Sequence, residues 1–167
     1  ARSHVSTSTY IDTYKALGFT HIKFVSVLDG RSSFTCANLD QTMWEINSPQ
    51  IRMPPLHPNC RSTLIGVDAD GNLGGKRPFV SDQRSVKDIP KDQRTGKIGQ
   101  IDANTKFSDW FKNQDDEFQR NWLGKSRFEL YKNAGFPIDK FVDPIGRKYT
   151  LDELRKIDKK TFENLGL

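Results

Sequence analysis

An α+β fold is predicted by three features of the amino-acid order. Two apolar stretches, residues 21–28 and 63–67, read as strands. The segment between them carries Pro49, Pro54, Pro55 and Pro58, so it can be neither a helix nor a central strand. Beyond residue 106 the apolar residues recur at helical spacing. The organisation that follows is a small N-terminal α/β core with a Pro-rich loop (1–67), a long polar, basic linker or arm (68–105) and a C-terminal helical element (106–167). A chain of 167 residues has room for a core with an appended subdomain, and too little for two large domains.

Each element has its own signal. Tyr10, Ile11, Tyr14 and Leu17 form a helical stripe ending at Gly18, against the competing backbone hydrogen bonds of the Ser/Thr run at 6–9. In 21–28, Ile22, Phe24 and Leu28 alternate with Lys23, Val25 and Val27, a strand buried on at least one face, and Asp29-Gly30 breaks it in a turn. Residues 34–39 hold one or two helical turns and 43–46 a short extended piece. The prolines of 48–59 fix φ and so lower the entropy lost on ordering that loop. Residues 68–102 are polar, with few anchors beyond Phe79 and Val80; eight Lys or Arg face four Asp between Lys76 and Lys106. Such a composition buries too little apolar surface to offset ordering, which favours an extended arm, with an ordered surface excursion as the alternative. Trp110 and Phe111 sit in a short amphipathic piece, and Phe118, Trp122 and Leu123 precede Gly124. Ser126 with Glu129 and Thr150 with Glu153 read as capping boxes, Gly135 closes the first of those helices, and Leu151, Leu154 and Ile157 line the second. Trp110, Trp122 and Tyr131 read as core or docking surface.

Composition bounds the function. A formal net charge of +5 favours an anionic partner. The basic residues Lys76, Arg77, Arg84, Lys87, Lys91, Arg94 and Lys97 are candidates for contacts to nucleic-acid phosphates without sequence readout. No run approaches the 18 or so apolar residues of a membrane span, so no membrane partner is expected. The start at Ala1 rather than Met leads to the expectation of a fragment or processed product.

The densest chemistry lies in residues 54–62, Pro-Pro-Leu-His-Pro-Asn-Cys-Arg-Ser, and the second cysteine lies in the polar stretch 29–36; the two segments are expected to meet. Cys36, His57 and Cys60 are ligand types that zinc accepts, with His4, His21 or Asp29 as a fourth. A Cys36–Cys60 disulfide and a pair of packed thiols are the other open readings. His57 reads as a hydrogen-bonding plug of the loop or, flanked by Arg31 and Arg61, as a general acid or base beside a bound phosphate. Arg2, Arg31, Ser33, His57 and Arg61 would then form a small phosphodiester-cleaving or nucleotide-binding site. Asp29 and Asp40 read as turn and cap residues.

These residues resemble the head-morphogenesis, or minor capsid, proteins of tailed phages, the Mu F-like family. The resemblance runs through Ala-Arg-Ser at the first helix, Leu-Asp-Gly-Arg-Ser-Ser at 28–33, Cys36 with Leu39-Asp40, and the string at 54–62. It resumes at Trp110, passes through Glu-Phe-Gln, Leu-Gly-Lys-Ser-Arg and Phe-Val-Asp, and ends at Thr-Leu-Asp-Glu-Leu. Family members often carry further cysteines where this chain has Ser33 and Ser62, and a glycine where it has Gln41, so a four-cysteine metal site does not carry over. The resemblance implies a structural and interaction role in capsid assembly and DNA packaging or delivery. It implies the portal or other capsid proteins as partners, nucleic acid through backbone contacts, and a location in the virion head or bacterial host cytoplasm. No cofactor is expected, with zinc as the metal these ligand types could hold. The alternative is a toxin-like effector acting on RNA, DNA or a nucleotide, a nuclease or nucleotide-transferring enzyme, since such domains occur joined to toxin or enzyme modules.

Overall fold

The computed structural model describes the backbone of residues 2–167 and the side chains of residues 8–167, and it is α+β, with helices and two three-stranded sheets. Helix α1 (Arg2–Ala16) stops before Gly18, which takes a φ of +89° that other residues resist. Ile11 is buried and Tyr14 packs edge-on against Phe19. Tyr14 also lies over Gly66, where a Cβ would meet the Tyr14 ring at 2.6 Å, so the glycine lets the helix approach. Tyr10 and Leu17, expected on the buried stripe, are exposed, because the helix rests only a narrow strip on the sheet.

Strand β1 (His21–Val25) is central in the first sheet, antiparallel to β3 (Met43–Glu45) on one side and β4 (Thr63–Val67) on the other. The strand expected over 21–28 breaks after Val25, and the chain enters the second sheet as β2 (Leu28–Asp29). The break is made by Ser26, whose N–H donates to Asp40 Oδ1 at 2.8 Å instead of joining a ladder. Helix α2 (Phe34–Leu39) follows, with Ser33 as its N-cap accepting from the Cys36 N–H. Gln41, just beyond Asp40, has a φ of +67°. A glycine would take that conformation freely; here the Gln41 side chain accepts from buried Lys23 and donates to Ala103 O.

Residues 68–105 are not a linker or an extended arm. They supply β5 (Lys76–Val80) and β6 (Ile98–Asp102), antiparallel to each other, with β5 parallel to β2. The segment is anchored by charge rather than by apolar area. Arg77 is buried and donates through Nη1 and Nη2 to Asp40 at 2.8 and 3.1 Å, to Thr105 O at 2.9 Å and to Ser26 O. The excursion between the strands folds back on buried Asp82, which accepts from the Arg84 backbone and guanidinium and from Lys97. The Arg84 guanidinium, with the Arg84 N–H and Lys97, holds the Asp82 carboxyl well below the usual carboxylate range despite burial.

The C-terminal part packs α3 (Phe107–Lys112), α4 (Asp116–Leu123), α5 (Lys125–Asn133), α6 (Leu151–Ile157) and α7 (Lys159–Leu165). The Thr150–Glu153 capping box forms as expected. The Ser126–Glu129 box does not, because α5 begins earlier, straight after Gly124, with no side-chain cap. Helix α7 has no clear hydrophobic pattern to mark it; Asp158 opens it by accepting from the Thr161 N–H.

Two apolar clusters make up the core, and a cut at residue 67 does not separate them. Cys36 joins Ile11, Ile22, Phe24, Ile46 and Leu64 in the first, while Phe34 and Ala37 of the same helix join the C-terminal aromatics in the second. Trp110 and Trp122 lie in that second cluster and Tyr131 packs on it, as their spacing indicates.

Removing one partner of a buried ion pair leaves the other unsatisfied, so Arg77→Met is expected to cost about 3–5 kcal/mol in urea unfolding. A linker arginine would shift stability by no more than about 0.5 kcal/mol.

Candidate metal centre

The Pro-rich loop and the polar stretch at 29–36 meet, as their chemistry suggests. The clamp between them is Asp29, buried at the end of β2, which accepts both guanidinium arms of Arg61 at 2.6 and 2.9 Å. Asp29 also accepts from the Arg31 N–H and Ser32 Oγ, while the Arg31 guanidinium stands 3.7 Å away. The bidentate pair with Asp29 pushes the Arg61 pKa up, so its charge is permanent. Both guanidiniums that were candidates for holding a phosphate are therefore turned toward one carboxylate.

Arg61 fixes the exit of the loop, and His57 is thereby set over the start of α2. Its Nδ1 lies 2.8 Å from Pro58 O, a contact that requires the proton on Nδ1. Nε2 then presents a bare lone pair, 3.0 Å from Ser33 Oγ and 3.1 Å from Cys36 Sγ. A carbonyl holding the far nitrogen is how proteins fix the tautomer of a metal-binding imidazole.

Cys36 and Cys60 are free thiols, with Sγ atoms 3.8 Å apart, so they are not a disulfide. Two thiolates about 2.3 Å from one tetrahedral ion would themselves stand about 3.8 Å apart. The ligand atoms of Cys36, His57 and Cys60 all lie within 4.8 Å of one another, the one group of at least three His, Cys, Asp or Glu among the described residues that could hold a metal ion. Burial pushes the Cys36 thiol up. Burial acts the same way on Cys60, but the Leu56 and Ser62 backbone with the Cys36 and Ser62 side chains outweigh it and hold that thiol down.

Of the fourth ligands expected from sequence, Asp29 and His21 do not join this group. Asp29 is occupied by Arg61. His21 lies on β1, with Nδ1 2.8 Å from Thr20 Oγ1. The side chains of His4 and Arg2 lie outside the described residues. Arg31, Ser33, Cys36, His57, Arg61 and Ser62 line a small pocket of about 10 Å³, enclosed room for a single water-sized occupant.

The seven basic residues that were candidates for phosphate contact divide differently. Arg77 is buried against Asp40 and so is not free to meet a polyanion, while Arg84 and Lys97 pair with Asp82 with their side chains still exposed. Arg94 donates to Ile89 O. Lys76, Lys87 and Lys91 are exposed. No helix of the described residues is long and apolar enough to cross a membrane. No family model, no curated protein and no solved structure matches the chain.

The two thiols should differ in reactivity. Brief iodoacetamide treatment of metal-free protein near neutral pH, mapped by mass spectrometry, should label Cys60 well before Cys36; equal labelling would contradict the arrangement.

Proposed function

We propose that the chain is a structural and interaction domain of the phage head-morphogenesis, minor capsid type, in which one zinc ion clasps the Pro-rich loop to the start of α2. Cys36, His57 and Cys60 would hold the ion and leave one position open. One observation carries the reading. Of positions 33, 36, 60 and 62, where Mu F-like proteins often carry cysteine, Ser33, Cys36 and Ser62 line one small cavity with His57, and Cys60 Sγ lies 3.8 Å from Cys36 Sγ. The φ of +67° at Gln41, where those proteins usually carry glycine, supports the same correspondence independently. The partners of this reading are the portal or other capsid proteins and nucleic acid through its backbone, in the virion head or host cytoplasm.

Zinc binding should raise stability by mass action. Metal-free protein given zinc at 100 times Kd should gain about 2.7 kcal/mol, one equivalent bound, and lose the gain on chelation. Cys60→Ser should abolish the effect while keeping the fold; a melting temperature indifferent to zinc in the wild type would sink the clasp.

The toxin-like alternative draws on the same side chains, since Arg31, Ser33, His57 and Arg61 do converge. Its difficulty is space, as the pocket encloses about 10 Å³ and a nucleotide would have to lie outside it. Bacterial expression of wild type and His57→Ala separates the two readings. Equal, unimpaired growth is expected, and growth arrest relieved by the substitution would establish chemistry at His57.

A further inference from the structure

Two cations that no motif marks stand over the Phe34 ring, and a third, Arg52, reaches the adjoining turn at 143–148. Lys148 Nζ lies 4.9 Å and Arg127 Cζ 5.9 Å from the centroid of the Phe34 ring. Arg52 Nη1 donates to Ile145 O at 3.2 Å, across the same turn. The turn is pinned to the ring's neighbour, because Thr35 Oγ1 donates to Gly146 O. A Cβ on Gly146 would come within 3.3 Å of both Thr35 and the Arg52 guanidinium, so the approach needs glycine, whose φ there is +89°. Phe34 itself is immobilised by stacking on Trp122 at 4.3 Å, with Trp122 Nε1 donating to Ser32 O. The cations therefore stand on a rigid base.

What distinguishes this cluster is the missing counter-charge. Among the described residues, the neighbouring Arg147 is neutralised by Asp143 and Glu153, Arg61 by Asp29, and Arg77 by Asp40. No carboxylate lies within 4 Å of Arg52, Arg127 or Lys148 in any ion pair there. Arg127 Nε is buried with no hydrogen-bond partner, while Nη2 donates to Tyr149 O. Burial lowers the Arg127 pKa, and burial together with the Arg127 charge lowers that of Lys148. Two partly dehydrated like charges over one ring are unfavourable unless an anion completes them.

We propose that Arg52, Arg127 and Lys148 form a binding site for a phosphate group. Arg supplies the forked donor and Lys the compact charge that phosphates take. The phosphate belongs either to a nucleic-acid backbone or to a small free phosphate. In the first case this face replaces residues 76–97 as the main contact, which deepens the nucleic-acid part of the function proposed above and is independent of the metal clasp.

The test uses the full chain. Binding of a labelled DNA 25-mer is followed by anisotropy between 50 and 200 mM salt, and inorganic pyrophosphate is titrated with amide NMR detection. Arg127→Gln/Lys148→Gln should weaken DNA binding about tenfold or more and reduce the salt slope by about 2, with the melting temperature unchanged or raised. Lys87→Gln/Lys91→Gln, in the basic segment between β5 and β6, should leave both values unchanged. Pyrophosphate shifts at Phe34, Gly146 and Lys148 without DNA binding would assign the site to free phosphate. Failure of both ligands, wild-type DNA affinity in the first double variant, or an equal loss in the second would overturn the site. The metal clasp would survive any of those results, since the zinc titration tests it separately.

Discussion

The buried carboxylate of Asp40 is the constraint on which the three parts of this chain depend. It accepts from the Ser26 N–H, from both arms of Arg77 and from the Phe107 N–H, each at 2.8–3.1 Å. Those donors come from the end of β1, from β5 and from the first residue of α3, and Asp40 itself closes α2. One side chain thus joins the N-terminal sheet, the excursion at 68–105 and the C-terminal helices. Burying a carboxylate costs several kcal/mol unless its lone pairs are filled and its charge matched, and here both conditions hold. Arg77 is satisfied in turn by the Ser26 and Thr105 carbonyls. The network is fully connected, so it favours one arrangement of the three parts over looser alternatives.

Helix α2 transmits this constraint to the candidate metal centre. It has only six residues, and its two faces belong to different cores: Cys36 faces the first cluster, Phe34 and Ala37 the second. Asp40 fixes its C-terminal end, and Ser33 caps its N-terminal end. Asp29 with Arg61 then brings the Pro-rich loop to the capped end. Cys36, His57 and Cys60 come close because both segments are anchored by separate buried carboxylates, and the loop's prolines limit what its ordering costs.

Much of this is legible in the sequence, and the failures have a common cause. Thr63–Val67, the helix at 34–39, the Thr150 capping box and the meeting of the two motifs all rest on local patterns, which residue order carries directly. The segment 68–105 reads as an arm because its anchor is a polar side chain. Arg77 looks like any surface arginine until Asp40, 37 positions earlier, is placed beside it. The end of the strand at Val25 has the same origin, since Ser26 serves Asp40 and not a ladder. The cations around Phe34 are equally silent in the sequence: Arg52 reaches Ile145 across 93 positions, and no motif or periodicity connects them.

The coordination set and the cavity around it point in different directions, and the cavity decides. Three protein ligands with an open fourth position are the usual mark of catalytic zinc, where water or substrate completes the shell. A cysteine in place of Ser33 or Ser62 would close such a site, and the serines leave it open. Yet the space beside Cys36 and His57 is about 10 Å³, walled by Arg31, Asn59 and Arg61 among others. His57 Nδ1 is held by Pro58 O, and Arg61 is committed to Asp29. An ion at this centre would therefore have enclosed room for about one water, and its effect would fall on the loop it binds. The serines lower the number of ligands without creating a substrate site, which leaves an ion there to act through the stability of the fold.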